Sequence, residues 1–134
     1  MDKPDLSGSW TLNRHKSRLQ IPMPDSTVFS IDHREPRFHI ERTHIVGDTR
    51  DTFSIDLMTD GRTVHASHRG IEIRARAYWE GDVLVFDSLM TLGDESGTNV
   101  VRYELADEGK SFIALEKVDL KGHEHTNRWV FDRQ

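Results

Sequence analysis

All four prolines of the chain, Pro4, Pro22, Pro24 and Pro36, fall within its first 36 residues. Everything that follows lacks the one residue that cannot donate a backbone hydrogen bond to a sheet ladder. That stretch is broken at Gly47, Gly61, Gly70, Gly81, Gly93, Gly97, Gly109 and Gly122. The spacing matches the beat of roughly 8–12 residues that marks an antiparallel all-β fold. Gly47-Asp48, Asp60-Gly61, Gly81-Asp82 and Glu108-Gly109 supply the positive φ angles that tight reversals need.

Between the reversals, apolar and polar residues alternate. Phe53, Ile55 and Leu57 interleave with Thr52, Ser54 and Asp56, and Ile71, Ile73, Ala75 and Ala77 with Glu72, Arg74 and Arg76. A period of two is the mark of a strand, and no long window carries the spacing of an amphipathic helix. The expected strands cover 8–13, 27–33, 37–45, 51–59, 63–69, 71–80, 83–91, 98–105, 111–120 and 125–133. Their connections are too short for crossover helices, so they predict a meander of about ten strands. Closure removes the exposed edges such a sheet would leave, which points to an up-and-down β-barrel. The longer link, residues 14–26, is expected to lie over one mouth.

At 134 residues the chain is read as one domain, 1–134. No apolar run approaches the ~20 residues of a membrane span. Eighteen Lys and Arg against 23 Asp and Glu leave a net charge of -5, which argues against nucleic acid as a partner. There is no cysteine, so disulfides and thiolate metal sites are excluded. Residues 1–6 contain no apolar leader core. The expected location is cytoplasmic as the chain reads, or periplasmic or secreted if a leader was removed. A monomer or homodimer is expected.

Eight strands enclose just enough space for their own side chains, so ten should leave a cavity. Taking the more apolar parity of each strand as inward turns Trp10, Leu12, Phe29, Ile31, Phe38, Ile40, Phe53, Ile55 and Leu57 into the lumen. Later strands add Leu84, Phe86, Met90, Val101, Tyr103, Leu105, Ile113, Leu115, Trp129 and Phe131. The expected ligand-binding set is Phe29, Phe38, Phe53, Ile55, Leu84, Phe86, Met90, Tyr103, Leu115, Trp129 and Phe131, an aromatic-rich lining suited to a small hydrophobic molecule. Arg74 and Arg76 are placed outward. In the opposite register they and Tyr78 would enter the lumen and favour a carboxylate ligand.

Eight histidines are the main polar feature. His123-Glu124-His125 would put two imidazoles on one side of a strand, as a metal or heme iron could use, but the simpler reading is an exposed hairpin turn. His65 and His68 fall on opposite faces. Asp94-Glu95-Ser96-Gly97 reads as a solvated turn and not a calcium loop. Neither a metal nor another cofactor is expected. No Ser-His-Asp order or nucleophile elbow marks a catalyst, and Tyr103 with an inward His68 or Glu116 is the one acid–base set on offer.

Gly8-Ser9-Trp10, Leu12-Asn13 and Lys16-Ser17 resemble the start of calycin-superfamily barrels, most closely that of uncharacterised bacterial lipocalin-like proteins. The end, Trp129-Val130-Phe131-Asp132-Arg133, resembles the closing strand of fatty-acid-binding proteins. Trp129 replaces that family's carboxylate-binding Arg and Phe131 its Tyr, so the same head-group site is not implied. Nor is there room for that family's two-helix lid between Asn13 and Thr27. The resemblance implies a lipocalin-like barrel with a small-molecule role, and an Arg, here Arg102 or Arg128, packed on Trp10. Heme-binding barrels of the nitrobindin type are the nearest alternative, but Thr11-Leu12-Asn13-Arg14 interrupts their glycine-rich signature. The expected function is thus non-catalytic binding of a small hydrophobic molecule in the lumen. A barrel plugged by its own side chains, serving a structural or partner-binding role, is a further alternative, as is a lipocalin-like enzyme using the lumen Tyr and His.

Overall fold

Ten antiparallel strands form where the alternation placed them, in a computed structural model that describes residues 3–134. Met1 and Asp2, part of the stretch read for a leader, lie outside the described residues. The strands are β1 (Gly8–Leu12), β2 (Ser26–Arg34), β3 (Arg37–Val46), β4 (Thr49–Met58), β5 (Val64–His68), β6 (Ile71–Glu80), β7 (Val83–Leu92), β8 (Glu95–Ala106), β9 (Ser111–Leu120) and β10 (His123–Arg133). They pair in the order β4-β3-β2-β1-β10-β9-β8-β7-β6-β5. The first and last strands in sequence thus meet, as an up-and-down barrel requires. The gap between β4 and β5 is narrowed by a bridge from Asp60 to Tyr78, with the Gly61 N–H donating to the Ala77 carbonyl at 2.9 Å. Among the described residues no helix is long and apolar enough to cross a membrane.

Two turns differ from expectation. Glu95, Ser96 and Gly97 belong to β8 and are not part of a solvated turn. His123 and His125 likewise stand in β10, not in its hairpin turn, where Lys121 and Gly122 (φ 55° and 79°) make the reversal. Two successive positive φ values suit the right-handed twist of a hairpin. Gly97 is where β8 and β9 approach closely: a Cβ there would lie 2.8 Å from the Asp119 carbonyl oxygen.

The residues 13–25 link does not lie over a mouth. It continues the line of β1 along β10, exchanging backbone hydrogen bonds between Arg18 and Arg128 at 2.7 and 2.8 Å. Gln20 N–H donates to Asn127 Oδ1 further along.

One end of the barrel is solid. Leu6, Trp10, Phe38, Leu84, Phe112 and Phe131 are fully buried there, and the Trp10 and Phe112 rings lie 5.3 Å apart. Arg133 is the arginine on Trp10, its guanidinium carbon 4.2 Å from the ring centroid. The expected Arg102 and Arg128 are engaged elsewhere, with Glu80 and the Lys16 carbonyl. Arg133 wins because it is the direct cross-strand partner of Trp10, and such partners share a face.

The expected parity holds on β1–β4, β6–β8 and β10 but not on β9. There Phe112 and Ala114 are inside, 0% and 2% exposed, whereas Leu115 is 47% exposed on the outer wall. Placing Ile113 and Leu115 in the lumen was therefore wrong. Leu115 pairs with Arg102 on β8 and Arg128 on β10, so it shares their outward face. The corrected parity turns Glu116 inward. Arg74 and Arg76 are exposed, as expected.

Candidate ligand-binding cavity

The half of the barrel away from the Trp10 end is hollow. A cavity of about 370 Å³ is walled by Phe29, Phe53, Ile55, Phe86, Met90, Tyr103, Trp129 and Phe131, together with Ile40, Ile71, Ile73, Val101 and Ala114. The lumen is therefore not plugged by its own side chains. Eight of the expected binding residues, the first eight named, border it. Phe38 and Leu84 do not. They are part of the packed floor, 1% and 0% exposed. Leu115 is outside the barrel and is not a lining residue.

The wall is less greasy than the alternation implies. Arg42, His44, Asp51, His68, Arg69, Ser88, Asn99 and Glu116 also border the cavity. The parity of Ile40 carries Arg42 and His44 inward on β3, and that of Phe53 carries Asp51 inward on β4. His68 follows Val64 and Ala66 along β5. Extending each apolar parity to its strand end locates these groups, a step that a search for apolar residues alone does not take.

Asp51 organises the polar rim. Its carboxylate accepts from Arg42 Nη2 and His68 Nε2, each at 2.9 Å, and forms an ion pair with Arg69, whose Nε lies 2.9 Å away. Burial opposes the charge of Asp51, but the His68 hydrogen bond and the charges of Arg42 and Arg69 outweigh it and hold its pKa below the ordinary value. Arg42 also lies over the Phe53 ring, 5.7 Å from the centroid.

Across the lumen, Glu116 Oε1 accepts from Trp129 Nε1 at 2.9 Å and from Asn127 Nδ2 at 3.0 Å. These bonds fix the indole in the cavity wall. His44 stacks on Trp129 with centroids 5.7 Å apart, and its Nδ1 lies 2.6 Å from Thr27 Oγ1. Burial, reinforced by the charge of Arg42, pulls His44 down to about 4, so its imidazole is neutral at physiological pH. Burial pushes the Tyr103 phenol up, with Glu116 adding to the effect. The phenol therefore stays protonated and is no general base at neutral pH. His68 and Glu116, read as possible partners of Tyr103, both reach the cavity but hydrogen-bond to Asp51 and to Trp129 and Asn127.

Among the described residues no group of three or more His, Asp or Glu side chains is gathered to hold a metal. No protein-family model matches the sequence, and no curated protein does either. Solved structures match the fold over almost its whole length. A secretory abundant heat soluble protein of Ramazzottius varieornatus, from a dimer sample, superposes with a TM-score of 0.69 at 13% identity, covering 96% of this chain and 94% of that one. Zebrafish ileal bile acid-binding protein, complexed with cholic acid, gives 0.62 at 11% identity, with 96% and 98% covered. Human cRBP IV gives 0.58 at 14% identity, with 98% and 99% covered. The likeness shows a shared fold, an antiparallel β-barrel. At these identities the likeness extends to the ten-stranded architecture, and the contents of the lumen are this chain's own.

Proposed function

We propose that the protein binds a small hydrophobic molecule in its lumen, non-covalently and without chemical change to it. The carrying observation is the cavity of about 370 Å³ walled by Phe29, Phe53, Phe86, Trp129 and Phe131. Its size falls within the ~300–1,000 Å³ typical of small-molecule sites. Burial drives uptake, at about 25 cal/mol for each Å² of apolar surface removed from water. The zebrafish ileal bile acid-binding protein, a barrel of like architecture complexed with cholic acid, supports the reading.

The test is a fluorescence titration with N-phenyl-1-naphthylamine, a neutral apolar probe. Trp129→Ala and Phe86→Ala should each weaken uptake several-fold. Equal binding by the parent and both variants would overturn the lumen as the site. Native mass spectrometry of freshly purified protein provides a second readout, a bound mass that denaturation releases unchanged.

A further inference from the structure

Both arginines that border the cavity are engaged by Asp51, at 2.9 Å from each. The second carboxylate of the lumen, Glu116, forms no ion pair among the described residues. Its Oε1 accepts from the Trp129 indole and the Asn127 amide, both neutral donors. Its Oε2 takes no hydrogen bond among the described residues. The buried side-chain atoms without a partner are Arg42 Nε and Asn99 Oδ1, and Oε2 is not one of them. That oxygen is therefore accessible, on a residue that borders the cavity. Arg42 feels Glu116 through space, but no ion pair joins them. A carboxylate with little water and no counterion is costly, and a guest of opposite charge relieves that cost.

The strand register puts aromatic rings on either side of this carboxylate. Ala114 is the cross-strand partner of Tyr103 on β8 and of Trp129 on β10, so a single methyl group stands between two large rings. Glu116 is the next inward residue on β9, diagonal to both, at a separation that long side chains span. All four residues border the cavity. Tyr103 is 6% exposed, and its hydroxyl too is without a hydrogen bond among the described residues and is not one of the sealed atoms. Ring faces beside a carboxylate attract a cation. A second anion there would meet the Glu116 charge where screening is weak.

We propose that the lumen takes a hydrophobic amine, its ammonium donating to Glu116 Oε2 between the rings of Tyr103 and Trp129 while its apolar body lies along the phenylalanine wall. This deepens the lumen-binding reading and rests on it.

The test is displacement of N-phenyl-1-naphthylamine at pH 7.5 by three chain-matched competitors: dodecylamine, dodecanol and dodecanoate. Dodecylamine should compete best, by about tenfold over dodecanol, with dodecanoate weakest. The net charge of -5 attracts any cation, so the titrations are run in about 0.15 M salt, where that general field is screened. Glu116→Gln keeps an acceptor for Trp129 and Asn127 but removes the charge. It should cut the affinity for dodecylamine about tenfold and leave probe and dodecanol within about twofold. Dodecanol or dodecanoate competing with the parent as well as dodecylamine would overturn this proposal while leaving lumen binding intact, and that comparison needs no variant. An amine preference that survives Glu116→Gln would overturn it as well. Failure of the probe to bind the parent protein would overturn the lumen reading and this inference with it.

Discussion

Arg133 and Trp10 are direct cross-strand partners between β10 and β1, and the guanidinium carbon sits 4.2 Å above the indole ring. The same guanidinium donates to the Ser7 carbonyl at 2.9 Å through Nη1 and to the Gly109 carbonyl at 3.0 Å through Nε. One side chain thus ties the N-terminal segment, the β8–β9 turn and the closing strand across the solid end of the barrel. Arg133→Ala should lower stability by about 1–3 kcal/mol, combining a cation–π contact with hydrogen bonds to a charged group. Arg133→Lys should recover part of that, since an ammonium keeps the charge but not the fork. Urea unfolding followed by tryptophan fluorescence measures both. An unchanged midpoint for the alanine variant would mean that the contact carries no net energy.

The parity of β9 makes a sharper prediction because the two choices differ so much in cost. Phe112 is 0% exposed and packs against Trp10, Phe29, Tyr103 and Phe131, so Phe112→Ala should cost about 3–5 kcal/mol. Leu115, 47% exposed, should tolerate Ala within about 0.5 kcal/mol. Thermal unfolding of the two variants side by side distinguishes them. A large loss from Leu115→Ala would reverse the strand.

These two residues also show where reading from sequence stops. Strand count, meander and closure were legible because alternation, glycine spacing and the absence of proline after Pro36 all agree. On β9 they conflict. Ile113 and Leu115 carry one face, Phe112 and Ala114 the other, and Glu116 sits on the second. A charge ordinarily marks the outer wall, yet the Glu116 carboxylate accepts from Trp129 and Asn127 inside. The apolar half of the site was legible for the same reason as the fold. Its polar half was legible only as position, by carrying each parity to the strand end; that Arg42 on β3 pairs with Asp51 on β4, and that His44 stacks on Trp129 of β10, was not. Alternation along one strand carries no information about which charges meet across a barrel.

Gly97 tests the close approach of β8 to β9. A Cβ at this position would clash with Leu120 Cδ2 and lie 2.8 Å from the Asp119 carbonyl oxygen. Leu120 is 44% exposed and can swing away, but the carbonyl belongs to the ladder and cannot move alone. Gly97→Ala should therefore cost about 1–3 kcal/mol, as overpacking does. Gly47→Ala offers a contrast. Nothing lies within 4 Å of a Cβ there, and the penalty comes only from its φ of 58°. Hydrogen exchange of the β8–β9 amides should quicken in the first variant and not in the second.

The neutral imidazole of His44 couples stability to pH. Its pKa is about 4 in the folded chain against an ordinary 6.5, through burial first and the charge of Arg42 second. Between those values the unfolded chain takes up a proton that the folded chain does not. Stability is therefore highest above pH 6.5 and falls as pH drops towards 4, by about 1–3 kcal/mol once screening near the mouth is allowed for. Asp51 and Glu35 act lower on the scale. Burial opposes them, but their hydrogen bonds and neighbouring positive charge depress both, from 3.8 and 4.5. Their stabilisation is present above those unfolded values and lost as pH falls through the lower folded ones. The window from pH 7.5 to 5 therefore isolates the histidines, and His44→Gln removes this one. Urea midpoints should drop more steeply across that window for the parent than for His44→Gln. Parallel losses in the two proteins would show that His44 titrates as an ordinary histidine and is not buried against Trp129.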